Sequence, residues 1–288
     1  MRINCMAVSC LILAAFFGSG LIDARSAEGK ETEQITCNGK IVDKEGRPVE
    51  GAQLSLYKLI LSMELLSLDV ELAQSTTTKD DGTFTFETLA EESNEKNQAI
   101  ILVDKEGSTL GWANWYLERD LDVQIALGQS KLLVGRVVDG SGKPVGDAEV
   151  SISVMLMAGG NEPRYIAGKI SEQLFSCKTT ADGAFKFERI PANATAEFII
   201  EKPGRATVGT LRSTEGMQLQ YQAGREDIEI KLPLEAKIEG IVVESRAGKP
   251  IPGIEILAFQ GEHQPFSGQE PVISGKDGTF IIDGLCPG

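Results

Sequence analysis

The chain has 288 residues, of which 24% are charged and only 6% aromatic, with a formal net charge of −14 and an isoelectric point near 4.7. A surface this acidic is repelled by nucleic acid and by anionic membranes, which excludes both as natural partner classes. Its 31 glycines suit short strands joined by tight turns, and its length accommodates two or three domains of ordinary size.

The chain opens with Arg2 ahead of an apolar run over residues 6–17, followed by the small-x-small sequence Ala24-Arg25-Ser26. This is the pattern of a cleavable export signal, so residues 1–26 read as a signal peptide and 27–34 as a linker; an uncleaved anchor is the alternative. The run falls short of the roughly 20 apolar residues a membrane span needs. The mature chain is therefore expected to be secreted, periplasmic or at the cell surface, without membrane insertion.

Beyond residue 34 one phrase is written three times. It reads Gly39-Lys40-Ile41-Val42-Asp43 with Gly46-Arg47-Pro48-Val49, then Gly135-Arg136-Val137-Val138-Asp139 with Gly142-Lys143-Pro144-Val145, then Gly240-Ile241-Val242-Val243-Glu244 with Gly248-Lys249-Pro250-Ile251. A second phrase follows each copy: Asp81-Gly82-Thr83-Phe84, Asp182-Gly183-Ala184-Phe185 and Asp277-Gly278-Thr279-Phe280. The period of about a hundred residues is too long for a solenoid repeat and matches one small domain. Period-two patterning and turn chemistry place strands in the first copy over 35–42, 52–57, 75–78, 83–87, 99–103, 110–117 and 121–127. The second copy repeats the plan over 132–139, 148–154, 176–180, 184–188, 196–201, 206–212 and 227–232. The expected fold is all-β: tandem seven-stranded antiparallel β-sandwiches over 35–128 and 131–234. A third over 235–288 holds about four strands, so the chain reads as the N-terminal piece of something longer.

The pattern G-x-[IV]-V-[DE], G-[KR]-P-[VI], then D-G-x-F-x-[FI], resembles the carboxypeptidase regulatory-like domain, a prealbumin-like sandwich. Leu89-Ala90-Glu91-Glu92 departs from it by lacking the usual Pro-Gly, to which Ile190-Pro191-Ala192-Asn193 and Leu285-Cys286-Pro287-Gly288 come closer. The resemblance implies a non-catalytic module of the kind found beside zinc carboxypeptidases and in tandem in bacterial secreted and surface proteins. The related Cna-B-type surface sandwiches add the possibility of Lys–Asn isopeptide bonds.

The residues themselves offer little catalytic chemistry. His263 is the only histidine and lies in a polar loop, where solvation is its ordinary state; a metallopeptidase or a Ser-His-Asp triad needs more. Asp80 with Asp81, and Glu91 with Glu92, sit at turns, which favour acids for local hydrogen bonding. Without the signal the cysteines are Cys37, Cys177 and Cys286, one per repeat, read as buried free thiols on strands rather than as disulfides or metal ligands. No cofactor and no metal is expected.

Two surfaces are candidates for binding. Both tryptophans lie in Gly111-Trp112-Ala113-Asn114-Trp115-Tyr116-Leu117. If Trp115 and Leu117 fill the core, Trp112, Asn114 and Tyr116 share the other face, either as an exposed platform for a sugar ring or as packing against the core or a neighbouring domain. The other candidate is the insertion after the second strand. In the first repeat Leu61, Leu65, Leu68 and Leu72 recur there at helical spacing, as a short helix or an extended hairpin capping the sandwich; residues 155–174 are its counterpart. The expected function is a non-catalytic structural, adhesive or ligand-binding role, with a glycan, a surface protein and neighbouring repeats as partners. The alternative is an accessory region of a larger secreted peptidase or carbohydrate-active enzyme.

Overall fold

The computed structural model describes residues 33–62, 67–91, 97–158, 164–209, 220–258 and 271–287. The signal and His263 lie outside them. Residues 33–236 and 284–288 form one compact unit and residues 237–283 belong to another. The architecture is all-β: strands make up nearly all the regular structure, with one helix of 6 residues among the described ones.

The first sandwich holds β1 (Gln34–Asp43), β2 (Gln53–Ser62), β3 (Ser67–Thr77), β4 (Thr83–Leu89), β5 (Gln98–Asp104), β6 (Gly111–Tyr116) and β7 (Leu121–Leu127). They form a sheet in the order β4-β1-β7 and another in the order β3-β2-β5-β6. Alternate residues of each strand turn inward, as period two demands: Ile35, Cys37 and Ile41 from β1 and Phe84 and Phe86 from β4 share one buried cluster with Leu54 and Leu56 from β2, Ile101 from β5 and Trp115 from β6 of the opposite sheet. Burial, reinforced by the nearby Asp122 carboxylate, pushes the Cys37 thiol up to about 12. The second sandwich repeats the plan. β8 (Ser130–Val138), β12 (Ala184–Pro191) and β16 (Ile228–Lys231) make one sheet; β9 (Glu149–Met157), β10 (Arg164–Ala167), β11 (Ser176–Lys178), β13 (Ala194–Glu201), β14 (Val208–Gly209) and β15 (Tyr221–Gln222) make the other, with α1 (Lys169–Leu174) following β10.

Three details refine the sequence reading. The sandwiches are not purely antiparallel: β7 lies parallel to β1, and β16 parallel to β8. A parallel pair needs a long crossover, and here the whole intervening domain supplies it. Of the leucines at helical spacing, Leu61, Leu68 and Leu72 lie on strands and Leu65 lies outside the described residues: of the helix and the extended hairpin, β2 and β3 form the hairpin, in which Leu61 pairs with Leu68. In the second repeat the strand expected over 206–212 is present at Val208–Gly209, and its part from 210 on lies outside the described residues.

The repeated phrases are explained by contacts between them. Gly39 pairs with Phe84 across β1 and β4, and a Cβ on Gly39, Gly135 or Gly240 would strike the ring of Phe84, Phe185 or Phe280 respectively. The glycine of one phrase thus makes room for the phenylalanine of the other. The Asp-Gly turn closes back on the same strand: Ile41, Val137 and Val242 donate their N–H to the carbonyls of Gly82, Gly183 and Gly278 at 2.8 to 2.9 Å.

A third shared position escaped the sequence reading. Thr78, Thr179 and Ser274 are buried, and each hydroxyl donates to one carbonyl (Val49, Val145, Ile251) while accepting one N–H (Ala52, Ala148, Ile254). Each stands three residues before the turn aspartate, so the fuller signature is [ST]-x-x-D-G-x-F.

The turn carboxylates set an acid limit. Bonds from the Ser141 hydroxyl and the backbone of Lys143 and Ser141 hold Asp139 below its ordinary 3.8, and Thr83 and Thr279 do the same for Asp81 and Asp277. Burial acts oppositely on Glu197 and Glu201, raising both, with Glu172 and Glu149 adding to the rise at Glu201. A lowered folded value gives stability that is complete above the unfolded value and lost as pH falls; a raised carboxylate carries a cost that is lifted on acidification. Denaturant midpoints measured against pH are therefore expected to rise on going from neutral to mildly acidic, then fall below about pH 4. Asp139→Asn should flatten the acid limb.

Candidate functional site

The strand bearing both tryptophans is β6, at the edge of the β3-β2-β5-β6 sheet. Its inward residue Trp115 fills the core of the first sandwich and donates its indole N–H to the Arg119 carbonyl at 2.7 Å. The opposite face does not meet solvent. Trp112 is 0% exposed, and with Ile100, Leu102 and Leu110 it belongs to one continuous buried cluster with Val150, Ile152, Ile166, Phe187 and Phe198 of the second sandwich. The exposed platform considered for Trp112, Asn114 and Tyr116 is thus corrected for its central ring: the face is closed by the next repeat, with Asn114 and Tyr116 half-buried at its margin.

Polar contacts surround this apolar centre. Asn114 Nδ2 donates to the Tyr165 carbonyl at 3.0 Å while its Oδ1 accepts the Tyr165 N–H at 2.9 Å, so one side-chain amide stands in for a ladder rung between β6 and β10. The Tyr165 hydroxyl donates to Gln98 Oε1, and its burial raises the phenol above its ordinary value. Arg189 reaches from β12 to the β5–β6 turn, donating to the Ser108 and Lys105 carbonyls at 2.8 and 3.1 Å and to Asp104 Oδ1 at 2.5 Å. It does so from a left-handed backbone, φ 60°, at the bulge between Phe187 and Ile190. A residue with a side chain seldom adopts that conformation unless its surroundings hold it there. Arg164 donates to the Gln124 carbonyl at 3.2 Å, and Lys169 pairs with Asp69 at 2.6 Å.

The insertions are what deliver these groups. Tyr165, Arg164 and Lys169 all lie on β10 and α1, which pack beside β6 and β3. From the first repeat, Tyr57, Leu59 and Val70 of the long hairpin pack against the same cluster. The two candidate surfaces of the sequence are therefore two halves of one contact.

Cys37 is buried, Cys177 and Cys286 are half-buried, and none of the three is in a disulfide. Among the described residues no lysine is buried, no His/Cys/Asp/Glu group has the arrangement of a metal site, and no helix is long and apolar enough to cross a membrane.

No protein-family model matches the sequence, and no curated protein does. Among solved structures the chain is similar to the shaft pilin SpaA from Lactobacillus rhamnosus GG, at 12% identity and TM-score 0.28, covering 70% of this chain and 98% of that one. It is also similar to the Bacillus anthracis TIE protein, at 12% identity and TM-score 0.25, over 87% of this chain and 43% of the other. A third similarity, at 13% identity and TM-score 0.26, is to 3-chlorocatechol 1,2-dioxygenase from Rhodococcus opacus 1CP, over 36% of this chain and 62% of that one. The functional reading rests on the chain's own geometry.

Proposed function

We propose that this chain is a non-catalytic structural segment of an exported, surface-associated protein, built from carboxypeptidase regulatory-like sandwiches, in which the first two repeats are held at one fixed angle. The observation that supports it is the fully buried Trp112 between the sandwiches, ringed by the Asn114–Tyr165 and Arg189–Asp104 contacts. A sugar-binding tryptophan has to present its ring face to solvent, whereas a ring buried against the next domain fixes that domain's orientation. Trp112, Asn114 and Tyr116 accordingly serve as the recognition surface for the neighbouring repeat.

The test is a distance measurement by pulsed electron spin resonance between nitroxides attached at exposed positions 79 and 186, one on each sandwich. A single narrow distribution is expected, unchanged by glycans added in excess. A broad or bimodal distribution in the free protein would overturn the reading, and so would narrowing that requires a sugar.

A further inference from the structure

Arg189 occupies a position that the other repeats fill differently. It stands four residues after Phe185, the phenylalanine of the second phrase, where the first repeat has Thr88 and the third Gly284. In the first repeat the ladder is unbroken, each residue from Thr83 to Leu89 facing one residue of β1. In the second, Phe187 faces Leu133 and Ile190 faces Lys131, so Glu188 and Arg189 share Leu132. The bulge decides where the side chains go. Phe185 and Phe187 are buried in the core, and unbroken alternation would send Arg189 after them; the extra residue turns Ile190 inward instead, at 0% exposure, and leaves the guanidinium at the rim. The third repeat meets the same left-handed backbone with glycine, Gly284 at φ 69°, where the second has Arg189 at φ 60°. Glycine takes that conformation freely and arginine takes it at a cost, so the second repeat retains the side chain for what it reaches.

The turn it reaches is built without it. The Lys105 carbonyl accepts the Ser108 N–H at 3.0 Å, Gly107 turns the chain at φ 78°, and Lys105 Nζ ties the turn to the Glu50 carbonyl at 2.8 Å. This fixed turn offers three acceptors in one place: the carbonyls of Lys105 and Ser108 and the carboxylate of Asp104. They take Arg189 Nε and Nη2, two groups of one rigid plane, so the fit constrains direction as well as distance. The apolar contact around Trp112 carries no such preference, because hydrophobic burial is non-directional. The Lys169–Asp69 pair, largely exposed at its lysine, joins a flexible ammonium to its partner at a single point.

We propose that the Asp104–Ser108 turn is a guanidinium socket, and that Arg189, seated in it, is the residue that fixes the angle between the first two repeats while the apolar contact supplies their attraction. This deepens the reading that the two are docked through Trp112, and rests on it. Without Arg189 the second sandwich stays docked, held where Asn114 meets Tyr165, and swings about that anchor.

The experiment is pulsed electron spin resonance on the intact chain, with nitroxides at exposed positions 79 and 143, the second beyond the end of β8 opposite the bulge. Arg189→Gly suits the left-handed backbone and keeps the bulge. Its expected result is a distance distribution broader by about twofold or more, with the near-ultraviolet dichroism of the buried tryptophans unchanged. Arg189→Lys keeps the charge and loses the fork, and should broaden the distribution nearly as far. Asp104→Ala should broaden it less, and adding Asp104→Ala to Arg189→Gly should change nothing further, because one socket serves both. An unchanged width in Arg189→Gly would overturn the proposal and leave the docked reading standing, whereas a broad distribution in the unaltered chain would overturn both. Full rescue by lysine, additive effects of the two substitutions, or loss of the tryptophan signal in Arg189→Gly would each overturn the proposal as well.

Discussion

Replacing Trp112 with alanine is expected to destabilise the unit spanning residues 33–236 by about 3–5 kcal/mol, the cost of deleting a large, fully buried ring. The loss falls at the junction of two cores, so its signature is a change in cooperativity as well as in midpoint. The wild-type unit should unfold in one transition; the variant should show two, as each sandwich retains its own inner cluster while the contact that couples them is gone. The indole N–H of Trp112 is buried and meets no acceptor among the described residues, an arrangement that itself costs about 1–3 kcal/mol. Trp112→Phe removes that group and keeps most of the ring, so it should cost under about 1.5 kcal/mol and preserve the single transition. Calorimetry with parallel near-ultraviolet dichroism measures both quantities. A Trp112→Ala effect within about 0.5 kcal/mol would place the ring on the surface and contradict the contact.

Gly183→Ala is expected to cost the second sandwich about 3 kcal/mol, from two independent sources. Gly183 has φ 78°, where a side chain costs about 1–2 kcal/mol. Its Cβ would also fall on the carbonyl oxygen of Val137, the residue whose N–H bonds to the Gly183 carbonyl, and relieving such a clash costs about 1–3 kcal/mol more. Gly142→Ala is the comparison: the backbone there is equally left-handed, φ 82°, but the added methyl meets nothing within 4 Å. Urea midpoints of the two variants should therefore differ by the clash alone. Equal effects would mean that the turn yields and that strand β8 is not held by it.

The scaffold was readable because it is written in positions where one residue type is required by local geometry. A glycine facing a phenylalanine ring and a glycine at positive φ beside an aspartate both leave a mark that survives three copies. The fourfold hydroxyl, glycine, aspartate and phenylalanine signature was only partly seen, because Thr78, Thr179 and Ser274 differ in type while doing the same bonding. The contact between repeats was harder to see for a physical reason. Alternation along β6 says that Trp112 and Trp115 point opposite ways, but not whether the second face meets water or another domain. The signal was in the neighbouring strand: Ala99-Ile100-Ile101-Leu102-Val103 is apolar without interruption, which marks a strand covered on both faces, whereas its counterpart Ala196-Glu197-Phe198-Ile199-Ile200 is broken by Glu197. The parallel pairing of first and last strands has no local signature at all, since it is set by topology rather than by any residue of β1 or β7.

That pairing has a mechanical consequence. In each complete sandwich the chain enters at the start of one strand and leaves at the end of its parallel neighbour, β1 beside β7 and β8 beside β16. Tension applied through the chain ends therefore pulls the two strands past each other lengthwise, loading every rung between them at once. An antiparallel pair pulled at the same points would peel open one rung at a time. A string of such sandwiches under load resists by shear, each closed repeat sharing the force across the rungs between its first and last strands.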